Sequence, residues 1–148
     1  VATLRHNFVD ALAAEDSLTF RVLRGFYAVD PTIDEWRTWE RQSAVIPASS
    51  GHGNARSIAK FANMLALSVT VDGRSYLSKE MIDEARSEHY QEICPLMGEV
   101  RLGLGFGLDS TRFKATSNSS FHWGGYGRSW CLIDPDTQTA ATYAMNNC

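Results

Sequence analysis

Two short groups of residues in this 148-residue chain have the types and spacing to carry chemistry. Ser57-Ile58-Ala59-Lys60 sets a hydroxyl one helical turn before an amine. That is the geometry a Ser–Lys nucleophile pair needs, because the amine must reach the hydroxyl proton. His122, in Phe121-His122-Trp123-Gly124-Gly125, titrates near neutral pH and is a candidate acid or base; its bland alternative is a hydrogen-bonded strand histidine with no catalytic task. Other chemistry-bearing residues group less well. His6, His52 and His89 are scattered without metal-ligand spacing, so no metal site is expected. Cys94, Cys131 and Cys148 are an odd, sparse set with no CxxC, which disfavours a zinc site or a disulfide scaffold. Glu80, Asp83, Glu84 and Glu88 read as the solvated face of a helix, not as a paired acid and base. Gly103 to Gly107 spells Gly-x-Gly-x-Gly but runs on into Asp109-Ser110 instead of a helix, so it fails the dinucleotide pattern. Asn118-Ser119-Ser120 is a formal glycosylation sequon that matters only in a secreted protein.

These groups must be held by a mixed set of elements. Leu4, Phe8 and Leu12, then Leu18, Val22, Leu23 and Phe26, recur at helical intervals and predict two short helices before Tyr27. Asp30-Pro31 is a turn, and Thr32 to Gln42 suits another helical turn with Trp36 and Trp39 packed inward. Val45 to Gly53 is a Pro-, Ser- and Gly-rich loop. It leads into a helix capped by Asn54, with Ile58, Phe61, Ala62, Leu65 and Ala66 on one apolar face. Asp72-Gly73 marks a tight turn. Ser78 caps a further helix that turns Met81, Ile82 and Ala85 inward. The period then shortens: Val100 to Leu108 alternates bulky residues with glycine, a strand whose glycine face must lie close against another backbone. Phe121 to Ile133, a turn at Asp134-Pro135-Asp136 and Thr139 to Met145 read as an antiparallel hairpin. The fold class is therefore mixed α/β (α+β), an antiparallel sheet with helices packed on one face.

Composition narrows the function. The chain is 44% hydrophobic and 21% charged, with 14 basic against 17 acidic residues and a net charge of −3, which suits one globular domain. No basic cluster offers a footprint for nucleic acid or anionic lipid. Phe61 to Val71, the longest apolar-leaning stretch, is broken by Asn63, Ser68 and Thr70 and falls short of the ~20 residues of a membrane span. Val1 to Asn7 carries neither an initiator Met nor a basic-then-apolar leader, which reads as an internal cut.

Four blocks in order, Gly53-Asn54-Ala55-Arg56-Ser57-Ile58-Ala59-Lys60-Phe61, Tyr76-Leu77-Ser78, Gly103-Leu104-Gly105-Phe106-Gly107-Leu108 and His122-Trp123-Gly124-Gly125-Tyr126-Gly127, resemble the C-terminal part of the serine β-lactamase and penicillin-binding-protein-like hydrolases, in their class C-like or esterase-like branch. The resemblance runs over residues 46–148; residues 1–45 form a helical segment without a recognisable block. It implies a β-lactamase/transpeptidase-like fold, present here as part of a domain, and acyl-enzyme chemistry on a small ester or amide with no metal or cofactor. In that family a Ser-x-x-Lys supplies the nucleophile and its base, a Tyr motif supplies a second proton-transfer group, and a strand motif lines the opposite wall. By resemblance the strand motif is His122-Trp123-Gly124: His122 faces the substrate, Gly124 admits the substrate backbone, and the Gly125 amide is an oxyanion donor. Trp123 and Tyr126 shape the pocket. An alternative register, Trp123-Gly124-Gly125, moves the donor to Tyr126.

The family places its first two motifs upstream of the Asn-Ala-Arg-Ser helix, so the resemblance implies that the nucleophile lies outside this chain. Ser57, Lys60 and Tyr76 mimic the family order in compressed form, which is read as chance recurrence with a miniature site as the rival. Non-catalytic binding by the same cleft is the alternative function. Unpaired sheet edges imply self-association or association with the missing N-terminal part.

Overall fold

The computed structural model describes residues 10, 13–27, 37–47, 51–67, 70–71, 73–111, 113–125 and 129–145. The chain forms two compact units, Val1–His52 and Gly53–Cys148.

In the first unit, α1 (Leu18–Tyr27) starts where Ser17 Oγ accepts a hydrogen bond from the Phe20 amide at 3.0 Å. Leu18 and Val22 are exposed, whereas Thr19 is buried. The earlier helix expected around Leu4, Phe8 and Leu12 lies outside the described residues, as does Trp36. α2 (Trp39–Ser43) is a single turn capped by Thr38. The expectation of an inward Trp39 is corrected: it is 77% exposed, because a five-residue helix of Trp-Glu-Arg-Gln-Ser has no apolar face to bury.

The second unit begins with α3 (Ala55–Ala66). Asn54 and Ser57 cap it reciprocally: Asn54 Oδ1 accepts from the Ser57 amide at 3.0 Å, and Ser57 Oγ accepts from the Asn54 amide at 3.0 Å. Two-residue strands β1 (Thr70–Val71) and β2 (Arg74–Ser75) pair around Gly73, whose φ of 75° suits a residue without a side chain. α4 (Lys79–Ala85) follows, with Ser78 accepting from the Met81 amide as foreseen.

Five further strands run antiparallel. β3 (Tyr90–Cys94) pairs with β4 (Gly98–Leu102), and β5 (Phe121–Gly124) with β6 (Trp130–Asp134), which pairs in turn with β7 (Thr139–Tyr143). Gly107 joins the two ladders by single antiparallel bridges to Leu102 and to His122. The expected continuous strand from Val100 to Leu108 is therefore broken. At Gly103 the amide turns to Phe106 O at 2.9 Å, and Leu104 donates to Ala85 O at the end of α4 at 2.8 Å. A Cβ on Gly103 would collide with the Ala85 carbonyl, so this glycine does lie against another backbone. Strand β3 carries no alternation of burial, and the sequence pattern did not announce it.

The core is one layer of α3 on one sheet face. Ala62, Met64, Leu65 and Ala66 of α3 meet Ile82, Leu108, Phe121 and Ile133, with Phe106 edge-on to Phe121 at 4.8 Å. Ladder register puts Phe121, Ile133, Cys131 and Ala140 on that face and His122, Gly124, Trp130 and Leu132 on the other. Two expected core residues are corrected: Phe61 is 55% and Met81 58% exposed, since α3 turns Ala62, Met64, Leu65 and Ala66 to the core and α4 turns Ile82, which leaves these neighbours one position round the helix outside it.

Asp134 at the end of β6 is 2% exposed and ties two loops together. Its carboxylate accepts from Thr116 Oγ1 and Ser117 Oγ, each at 2.7 Å, and from the amides of Asp136 at 3.1 Å and Thr137 at 3.3 Å. Burial pushes this carboxyl up, but the bonds from Ser117, Thr116 and Thr137 prevail and hold it below the ordinary Asp value.

Candidate active site

Strand β5 presents different chemistry on each face. Trp123 points to the α3 face and is 50% exposed. His122, on the opposite face, is half-buried: its ring stacks on Trp130 (centroids 4.5 Å, 23°) and leans on Phe113 (5.0 Å, 51°), which itself stacks on Trp130 at 4.7 Å. Two glycines make room for these rings. A Cβ on Gly107 would stand 2.8 Å from His122 Nδ1, and one on Gly124 would stand 2.6 Å from Trp130 Cε3. The space beside Gly124, expected to admit a substrate backbone, is thus taken on this face by the Trp130 indole.

His122 Nε2 lies 3.3 Å from Leu108 O, while Nδ1 is buried without a hydrogen-bond partner. Burial lowers the imidazole pKa below its ordinary value, against smaller upward pulls from the Leu108 carbonyl and Asp109. Phe113, Trp130 and Gly107 were not recognised from sequence as partners of His122. Only Gly107, in its glycine-alternating run, carried a signal of close approach.

The backbone of β5 alternates as well. The Gly125 amide, expected as a free oxyanion donor, donates to Ser129 O at 3.0 Å and so faces β6. His122 exchanges both backbone bonds with Gly107, at 2.7 and 2.9 Å, and so faces the other edge. Antiparallel alternation points the Gly124 N–H and C=O to that same outer edge, where no strand or bridge among the described residues pairs with Gly124. Tyr126, next in the same parity, lies outside the described residues.

Hydrogen bonding among the described residues does not link the compressed set. Ser57 Oγ gives its proton to Asn54 O at 2.9 Å, and among the described residues no hydrogen bond joins Ser57, Lys60, Tyr76 and His122 to one another. Tyr76 is 58% exposed. A Ser87–His89–Glu84 group resembles a relay by composition, yet His89 Nε2 faces both Ser87 Oγ at 3.0 Å and Glu84 Oε1 at 3.1 Å. One nitrogen cannot take a proton from one partner while its other side is oriented by the second, so this is a helix-end contact. A cavity of about 530 Å³ lies between α4 and the 115–120 loop. Its Arg86 is bonded to Asp83 at 2.8 Å and its Arg101 to Glu88 at 2.6 Å, and no residue of β5 lines it. Among the described residues no cluster of His, Cys, Asp or Glu could hold a metal ion, and no helix is long and apolar enough to cross a membrane.

Comparison with known proteins places this geometry. A crystal structure of a family VIII carboxylesterase matches with a TM-score of 0.59 and 28% identity, over 64% of this chain and 26% of that one. A novel penicillin-binding protein homolog from Caulobacter crescentus matches with a TM-score of 0.57 and 28% identity over the same shares. The chain spans about a quarter of the length of these two structures. No curated protein matches it. The Beta-lactamase family model matches residues 10–147 and so reaches well into the N-terminal segment that showed no recognisable block. On that match, together with the antiparallel sheet packed under α3, the chain belongs to the beta-lactamase family of serine hydrolases.

Proposed function

We propose that this chain forms one wall of an active site that cleaves small ester or amide substrates through an acyl-enzyme, with the nucleophilic Ser and its base supplied by residues outside these 148. The observation that carries the reading is the parity of β5. An oxyanion forms beside the strand and needs an N–H aimed off the free edge, and the alternation assigns that direction to even-numbered residues. Within β5 that direction belongs to His122 and Gly124, whereas the Gly125 amide turns to β6; this disfavours His122-Trp123-Gly124 with Gly125 as donor, and we favour the alternative register Trp123-Gly124-Gly125. In it Trp123 takes the position that faces substrate. Gly125, with nothing within 4 Å of its would-be Cβ, leaves the strand smooth beside it. Trp123 brings no cation to pair with a substrate carboxylate, and one similar structure is a carboxylesterase, so the substrate we favour is an ester. The outer edge of β7 carries no partner strand among the described residues, and there a strand from the rest of the protein or from a second copy would add.

The test is a serine-reactive fluorophosphonate, applied to this chain and to the longest natural form containing it, with the labelled peptide located by mass spectrometry. Label on a Ser outside the 148 residues is expected. Label on Ser57 would establish the miniature site instead, and no label in either form, beside a labelled control hydrolase, would favour a non-catalytic binding module.

A further inference from the structure

The ring of His122 is built into the fold through three contacts of different kinds. Its Nε2 meets a carbonyl, Leu108 O, at 3.3 Å; a carbonyl only accepts, so the proton sits on Nε2. Nδ1 is then a bare acceptor, and it is buried with no donor in reach. A proton arriving there would create a buried charge without a partner. One flat face stacks on Trp130, Phe113 leans in at a tilt beside it, and Gly107 lies so close that a Cβ there would collide with the ring. The backbone of the same residue exchanges two hydrogen bonds with Gly107, so ring and backbone grip one point of the neighbouring chain.

We infer that His122 is a positioning residue: as its Nε2–H tautomer it packs between Gly107 and Trp130 and fixes β5 against the chain at Gly107, so that the edge at Gly124 is presented to substrate. This rests on the functional reading above for its purpose, though not for its geometry. A strand that slips by one residue turns every side chain and amide to the wrong side. Against β6 the register of β5 is set by the ladder from Phe121 to Gly124; against the chain at Gly107 it rests on a single bridge, to which the imidazole adds a second point of attachment. The role explains why a histidine stands here in an aromatic stack: a phenyl ring would fill the space but could not bond Leu108 O.

The experiment has two parts, both on the longest natural form containing the chain. Long-range proton–nitrogen spectra of His122 at neutral pH are expected to give a protonated Nε2 and an unprotonated Nδ1; the reverse pattern, or two protonated nitrogens, overturns the assignment. In amide exchange, His122→Ala is expected to reduce protection at Gly107 and Gly125 by about tenfold while α3 keeps its own, and His122→Gln, which keeps a donor, to restore most of it. Unchanged protection in His122→Ala overturns the inference; if that variant loses α3 as well, the Gln variant decides by the same criterion. The second part uses the longest natural form and p-nitrophenyl butyrate. A positioning role lowers kcat of His122→Ala by about 10- to 100-fold with KM nearly constant and lets Gln rescue it. Equal loss in both variants, on the scale of about 10³-fold, would make His122 the acid or base itself. Absence of hydrolysis in every form sinks the proposed function, while the spectra and exchange still decide His122.

Discussion

Replacing Asp134 by Ala removes a buried carboxylate that receives four hydrogen bonds. The two from Thr116 and Ser117, at 2.7 Å, are short and charge-assisted; the two from turn amides, at 3.1 and 3.3 Å, are longer. Counting only the short pair, at the lower end of the range for bonds to a charged group, gives a loss of about 3 kcal/mol. With an m-value of about 1.5 kcal/mol/M, the urea midpoint falls by about 2 M. Asp134→Asn keeps the shape and one acceptor oxygen, so its loss should be about half as large. The pH dependence has a definite sign. The folded carboxyl titrates below its ordinary value, so its contribution is complete above the unfolded-chain pKa of about 3.9 and is lost as pH falls through the folded value. Urea titrations followed by circular dichroism between pH 7 and pH 3 should therefore bring the wild-type and Asn stabilities together in acid. An Ala variant within about 0.5 kcal/mol of wild type at pH 7, or an Asn variant with the same acid loss as wild type, would refute the reasoning.

Ser57→Ala removes half of the capping box and should destabilise the chain by about 1 kcal/mol in thermal melts, while fluorophosphonate labelling of the long form stays unchanged. Gly103→Ala drives a methyl into the Ala85 carbonyl and should cost about 2 kcal/mol by urea denaturation; Gly125→Ala, with open space at its Cα, should change stability by no more than about 0.5 kcal/mol. Trp123→Ala should leave the melting transition nearly in place and raise KM for p-nitrophenyl butyrate by about tenfold in the form that hydrolyses it.

Local signals led furthest where one residue type met one geometric demand. Asn54 and Ser78 were legible as caps because a side-chain acceptor before an apolar period has few other uses, and both caps form. The β6–β7 hairpin was legible from Asp134-Pro135-Asp136, but not the buried role of Asp134, since its partners Thr116 and Ser117 lie 18 and 17 residues away. Strand β3 was not legible, because Tyr90 to Ile93 are all exposed and no alternation marks an edge strand open on both faces. Phe61 and Met81 show the same limit from the other side: periodicity marks an apolar side of a helix but not which of its residues a neighbouring layer covers. At the candidate site, the motif residues were visible and their parity was not. Which amides of β5 turn toward Gly107 and which toward β6 is set by a long-range pairing that one strand's sequence does not encode.

The two-sidedness of β5 also separates what evolution can alter from what it must keep. His122 and Gly124 are interlocked with Gly107 and Trp130, so a change at any one of the four asks for a matching change in another. Trp123, between them in sequence, stands half in solvent on the opposite face of the sheet from those side chains. On the proposed reading, a substitution at Trp123 alters the substrate side of β5 one step at a time, while the residues on either side of it stay locked in place.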